Sequence, residues 1–172
     1  LNAENTNDVS ADLYALSENS NFVICSGAKS ILDLSKTNEL LETLGITRIG
    51  YQTNYMPGFW YEETENKVDN KFDEIHEISS FLKLNENMGN KKSILIFNKV
   101  PLEKALNKND VEKWINNATI KADRNNISGK ELTPFLIKEI NEQSKNETLN
   151  ANVSLIINNA NLAGKIAKSF YS

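Results

Sequence analysis

Lys29 has the most chemistry to offer. It stands in "FVICSGAKSILDL" (22–34), where an apolar, β-branched run passes through small residues into an amphipathic one. That pattern predicts a buried strand turning into a helix, with the lysine at the joint. There the positive end of the helix dipole and partial desolvation would both act against an ammonium ion. An amine so placed can attack a carbonyl carbon and form a Schiff base. The position equally suits a lysine whose stem packs while its head reaches water. Ser26, Gly27 and Ala28 just before it are small enough to let a ligand approach the backbone.

Ahead of that strand, "DVSADL" (8–13) supplies Ser10 and Asp12. One carboxylate cannot cage a metal. It can hold Mg²⁺, Mn²⁺ or another hard divalent cation that keeps most of its waters and finds other ligands on a substrate phosphate. The alternative is that Ser10 or Asp12 caps a helix over "ADLYALSE". His76, the only histidine, has no cysteine or acidic partner at metal-ligand spacing and reads as structural or exposed. Trp60 and Tyr61 could line a pocket for a flat base or cover the core. Asn152 and the Asn158-Asn159 pair put amides into an otherwise apolar helical pattern, where they need a ligand or a helix–helix hydrogen bond as partner. There is no P-loop and no G-x-G-x-x-G.

These residues need elements to hold them. Strands are predicted at "NFVIC" (21–25), "ITRIGYQ" (46–52) and "SILIFNKV" (93–100). Helices are predicted from Ser30 to Gly45, over "FDEIHEISSFLKL" with Phe72, Ile75, Ile78, Ser79 and Leu82 on one face, and after Asp110 as N-cap. Two more follow, one with Thr133 as cap and Pro134 at the first helical position, and one over the C-terminal "LNANVSLIINNANLAGKIAKSFY". "YMPGFWYEETEN" is a loop with Pro57-Gly58 as its turn. Strands alternating with helices predict a mainly parallel sheet with helices on its faces, whose ligands collect at the carboxyl ends of strands. No repeat or low-complexity linker divides residues 1–172, so one domain is expected.

The bulk numbers narrow the class. The 172 residues are 40% hydrophobic, enough for a core, and no apolar run approaches the ~20 residues of a membrane span. A net charge of −4 argues against nucleic-acid binding as the main task. A single cysteine, Cys25, cannot form an internal disulfide and suits a reducing, cytoplasmic setting. The opening "LNAENTND" lacks the pattern of a secretory signal.

Five blocks, "DVSADL", "VICSGAKSILDLSKTNELLETLGI", "IGYQTNYMPGF", "GKELTPFLIKEI" and "LNANVSLIINNANLAGKIA", resemble the pseudouridine-5′-phosphate glycosidase family in order and spacing. The resemblance runs from Asp8 to the C-terminus. It implies a homotrimeric three-layer α/β/α sandwich with a mainly parallel or mixed sheet. It also implies reversible cleavage of pseudouridine 5′-phosphate to uracil and ribose 5-phosphate, with Mn²⁺. Uracil is joined to the sugar through carbon, so no leaving oxygen or nitrogen can be protonated. The family instead opens the ribose and uses a lysine amine as nucleophile at C1′. By the resemblance that lysine is Lys29, the metal-binding aspartate is Asp12, Ser10 lies near the phosphate and Asn152 contacts substrate.

The family also carries a preceding segment with a catalytic glutamate, a second lysine and a histidine. That segment is not in this sequence, so the fold is expected to be incomplete relative to the family. Asn7 stands where an aromatic is usual, Glu62 falls near a usual basic residue, and "NKVP" (98–101) replaces "NPIP". Two alternatives therefore stand beside the glycosidase: a non-catalytic fragment or assembly partner, and a different Schiff-base lyase acting on a sugar phosphate.

Overall fold

The computed structural model describes residues 11–172. Four strands form one sheet: β1 (Phe22–Cys25), β2 (Thr47–Tyr51), β3 (Asn70–Phe72) and β4 (Ile94–Phe97), in the order β1-β4-β2-β3. Every pairing is parallel, with Phe22 and Thr47 both opposite Ile94 on the central strand. β4 is apolar at all four positions and buried throughout, as a strand covered on both faces must be.

Alternation along the strands sorts the core into two layers. Ile24, Ile49, Ile94 and Ile96 face α3 (Ile75–Asn87) and the second half of α6 (Glu147–Phe170), meeting Ile78, Leu82, Leu162 and Ile166. Val23, Cys25, Leu95 and Phe97 face the other way, toward Leu13 of α1 (Ala11–Glu18) and Leu41 of α2 (Leu34–Thr43). Helices thus cover both sides of the sheet, giving the expected three layers. A third cluster lies against the first half of α6, where Ala151 and Leu155 meet α4 (Lys108–Arg124), α5 (Leu132–Gln143), Trp60 and Tyr61. Trp60 and Tyr61 are therefore core cover.

Arg48 on β2 is buried and anchors the sheet to its surroundings. Its guanidinium bonds Asp69 at 2.6 and 3.2 Å and the Asn38 side chain at 2.8 Å, while its backbone N–H also donates to Asp69.

Several boundaries differ from the sequence reading. The helix after Lys29 begins at Leu34, because Asp33 accepts the Lys36 N–H at 2.9 Å and caps it there. Ile31 is drawn into the third cluster and so leaves the helical stripe. The α4 cap is Asn107, which accepts the Asn109 N–H at 2.9 Å and so starts the helix before Asp110. A short 3-10 turn at Gly129–Glu131 leads into α5, which makes Pro134 the third helical residue; its missing N–H is harmless anywhere in that first turn. Phe72 belongs to β3, a strand too short for its periodicity to be read, and α3 begins after a Glu74–Glu77 capping box.

Candidate functional site

The loop carrying Lys29 leaves β1 at Ser26 and is held from one side by the turn at Pro57-Gly58. The Phe59 N–H donates to the Ser26 carbonyl at 3.0 Å, and the Ser30 hydroxyl donates to the Gly58 carbonyl. Between those two bonds Gly27 sits at φ +84°, and a Cβ there would lie 2.1 Å from the Pro57 oxygen. Only glycine tolerates both the left-handed backbone and the approach. The Leu32 N–H closes a turn back onto the Lys29 carbonyl at 2.9 Å. "SGAKS" (26–30) and "MPGF" (56–59) thus form one clamp, although they lie far apart in sequence.

Lys29 itself is exposed, and among the described residues its ammonium has no ion-pair or hydrogen-bond partner. The expected joint of strand and helix is not formed at Lys29 itself. The side chain is not buried, and the helix begins only at Leu34.

Lys29 opens onto a cleft of about 630 Å³ on the α1/α2 side of the sheet. Asp12 from α1, Cys25 from β1, Phe59, Lys36 from α2 and Leu136 from α5 share its wall, which is mainly apolar. The structure therefore brings Lys29 and Asp12 to one cavity. Ser10 lies outside the described residues. Asn152 is half-buried on α6 and does not line this cleft. Burial pushes the Cys25 thiol up to about 11, against a smaller opposing effect of a backbone hydrogen bond from Gly27, so at neutral pH it is a protonated wall residue.

A second group of polar side chains gathers at the carboxyl ends of β1, β4 and β2. Asn159 on α6 accepts from Asn98 at 3.0 Å and exchanges hydrogen bonds with the Ser26 hydroxyl at 3.1–3.3 Å. Asn158 donates to the Lys99 carbonyl at 3.1 Å. Among the described residues their partners lie at the strand ends. Lys99 reaches Glu63 at 3.3 Å and Glu62 at 3.6 Å, and Glu63 also accepts from Thr53 at 2.8 Å. The sequence reading missed Lys99 and Glu63 as a pair. The available signal was a lysine directly after the most strand-like segment, where a parallel sheet presents ligands. His76 is exposed at the start of α3, away from both groups.

Among the described residues no three His, Cys, Asp or Glu side chains gather as a metal cage. The carboxylates on the cleft wall are Asp12 and Asp33, and Asp33 already caps α2 through the Lys36 N–H. That donor set fits a largely hydrated hard cation completed by water and a substrate phosphate, and does not fit a soft or fully protein-ligated metal. No helix of the described residues is long and apolar enough to cross a membrane.

A family model described as indigoidine synthase A like protein matches residues 1–169. Among curated proteins, the chain is 44% identical to a pseudouridine-5′-phosphate glycosidase of Petrotoga mobilis over 98% of its own length and 55% of that protein's. A Staphylococcus aureus protein of the same name is 42% identical over 96% of this chain and 54% of its own length. The chain spans about half the length of the curated relatives it matches. Among solved structures, a prealnumycin C-glycosynthase in complex with ribulose 5-phosphate superposes with a TM-score of 0.91 at 28% identity, over 98% of this chain and 55% of the other. An indigoidine synthase A-like protein from Thermotoga maritima does so with a TM-score of 0.83 at 34% identity, over 93% and 53%.

Proposed function

The chain belongs to the indigoidine synthase A-like family, and from that premise we propose that it is the nucleophile-bearing part of a pseudouridine-5′-phosphate glycosidase. The observation that carries this reading is the Lys29 amine, unpartnered among the described residues, on a clamped loop at the end of a parallel strand, opening onto a cleft shared with Asp12. The names of the relatives point the same way.

In the proposed reaction the C1′–O4′ bond of the nucleotide opens and O4′ takes a proton. Lys29 Nζ bonds C1′ and gives up a proton. The C1′–C5 bond to uracil then breaks, its electron pair going to C5, which is protonated, and an iminium remains between C1′ and Lys29. Water adds to that iminium and releases ribose 5-phosphate and the free amine. Lys29 supplies the covalent step and the Gly27 clamp aims it. Asp12 would hold Mn²⁺ or a similar hard cation, which supplies positive charge for the phosphate when bound; Ser10 and Asn152 are proposed substrate contacts. The protons delivered to O4′ and C5 fall to groups in the part of the relatives this chain does not match. In this reading the protein is cytoplasmic and homotrimeric. The row of exposed apolar side chains Leu149, Val153, Ile156 and Ile157 on α6 supports self-association.

A second reading rests on the ribulose 5-phosphate held by the C-glycosynthase neighbour. A 5-phosphorylated ribulose cannot close to a furanose, so its carbonyl stays open to an amine. A Schiff-base lyase acting on a different five-carbon sugar phosphate would use the same lysine.

Borohydride trapping tests both. Incubation with ribose 5-phosphate and, separately, ribulose 5-phosphate should give a reduced adduct mapped by peptide mass to Lys29 and absent from Lys29→Ala. Preference for ribose 5-phosphate favours the glycosidase, and preference for ribulose 5-phosphate the second reading. A folded protein that gives no adduct, with or without Mn²⁺, is not a competent site by itself and would favour a non-catalytic assembly role.

A further inference from the structure

The stretch between β2 and β3 clamps the Lys29 loop, and its own backbone is strained. Gln52 at its start and Phe59 in its turn are left-handed, at φ +56° and φ +66°, although neither is glycine. A bulky side chain adopts that conformation only where its surroundings impose it. Burial of Met56 and Trp60 seats the stretch against the core, but apolar contact has no preferred direction. Direction comes from Lys99, just beyond the end of β4. Its ammonium lies 3.3 Å from Glu63 and 3.6 Å from Glu62, which follow the turn. The same Glu63 oxygen accepts from the Thr53 hydroxyl at 2.8 Å, and Thr53 is buried, so that carboxylate is held from two sides. The root of Lys99 is fixed as well. Asn158 donates to its carbonyl at 3.1 Å, and the Asn98 N–H before it donates to the Cys25 carbonyl at 2.9 Å.

We propose that Lys99 is a positioning residue for the Lys29 amine. It draws the Glu62–Glu63 pair onto the end of β4 and so keeps the turn at Pro57–Phe59 pressed against Ser26 and Ser30. Phe59 holds the Ser26 carbonyl through its N–H and shares the cleft wall with Lys29, so a shift of the turn reaches the amine through a single contact. Without the ammonium, two adjacent carboxylates repel each other and Phe59 can relax toward an ordinary backbone angle. A displacement of about 1 Å at a reacting group can cost ~100-fold in rate. A part-exposed ion pair adds little to global stability, so alignment rather than folding is what this one governs. The role given to Lys29 is that of the proposed reaction, on which the inference rests, but the tie between Lys99 and the turn can be read without turnover.

Lys99→Met removes the charge and keeps most of the side chain's length. Amide exchange followed by NMR should then speed up ~10-fold at Phe59, while the urea midpoint stays close to that of the parent chain. In borohydride trapping with ribose 5-phosphate, the maximal rate of adduct formation at Lys29 should fall ~10-fold or more, with the half-saturating sugar concentration changed less than about twofold. Glu63→Gln should reproduce both effects, and Lys99→Arg should recover most of the loss. Lys138→Met, which breaks an ion pair on α5, should change neither readout. Unchanged exchange at Phe59 in a folded Lys99→Met protein overturns the inference. So does a loss of trapping that only follows a lowered urea midpoint, or one that Lys99→Arg does not recover. If circular dichroism shows Lys99→Met to be unfolded, Glu63→Gln decides in its place. A parent chain that gives no adduct counts against the reaction at Lys29, and exchange at Phe59 then decides the inference by itself.

Discussion

Replacing Gly27 with alanine asks the clamp to accept a methyl group where none fits. An L-residue held at φ +84° costs ~1–2 kcal/mol over its preferred backbone. The new Cβ would lie 2.1 Å from the Pro57 carbonyl oxygen, and relief needs a separation beyond 3.0 Å between two backbone segments. Moving them apart weakens the Phe59–Ser26 and Ser30–Gly58 hydrogen bonds, each worth ~1 kcal/mol. The sum is a loss of ~3–4 kcal/mol, a large share of an ordinary domain's stability. Gly164→Ala is the control: it lies within α6 with open space around the new methyl, and should gain ~0.5–1 kcal/mol. Urea unfolding of the three proteins measures both numbers, and borohydride trapping at Lys29 reports whether the loop still aims the amine. A Gly27→Ala loss below about 1 kcal/mol with an unchanged denaturant slope would refute the clamp as the element that fixes Lys29.

Asp69→Ala strands the buried Arg48 guanidinium and should cost ~3 kcal/mol in urea unfolding, with Asp69→Asn costing clearly less. Asn159→Leu leaves the buried Ser26 hydroxyl and Asn98 amide without their shared partner and should cost ~2–4 kcal/mol, read as a lowered thermal midpoint. The Cys25 thiol, raised to about 11, should react with iodoacetamide at pH 8 ~100-fold or more slowly in the folded chain than in urea. The same shift has a sign for stability. The unfolded thiol ionises first as pH rises, so stability falls between about pH 9 and pH 11, a decline that Cys25→Ala should lack.

How far the fold was legible depended on how much each signal needed partners. Ile94–Phe97 and Phe22–Cys25 announce themselves by composition, and the stripe of α6 by its period, because burial on a fixed face writes directly into the pattern. Helix starts were less legible. Asn107 and Asp110 are both good caps, as are Asp33 and the serine at 30, and the choice is made by packing that pulls Ile31 into the third cluster. Asn70–Phe72 could not be read at all, since three residues show no alternation and the strand exists because β2 offers an edge.

The site divides along the same line. Lys29 and Asp12 were legible as residue types in small-residue and capping contexts, and the structure sets both on one cleft. The clamp was not legible, because it requires knowing that the turn at Pro57-Gly58 lies beneath Gly27. The Lys99–Glu63–Thr53 chain was hidden for the same reason, its members coming from three separate loops. Both groups fall at the carboxyl ends of parallel strands, where the topology turns every chain segment outward and leaves room for side chains that the sheet does not need. The expectation that failed is the most informative. Lys29 is exposed among residues 11–172, and the helix that follows it starts only at Leu34. If Lys29 is the nucleophile, the clamp at Gly27 fixes where its amine points, and the cleft shared with Asp12 is where a substrate carbonyl would meet it.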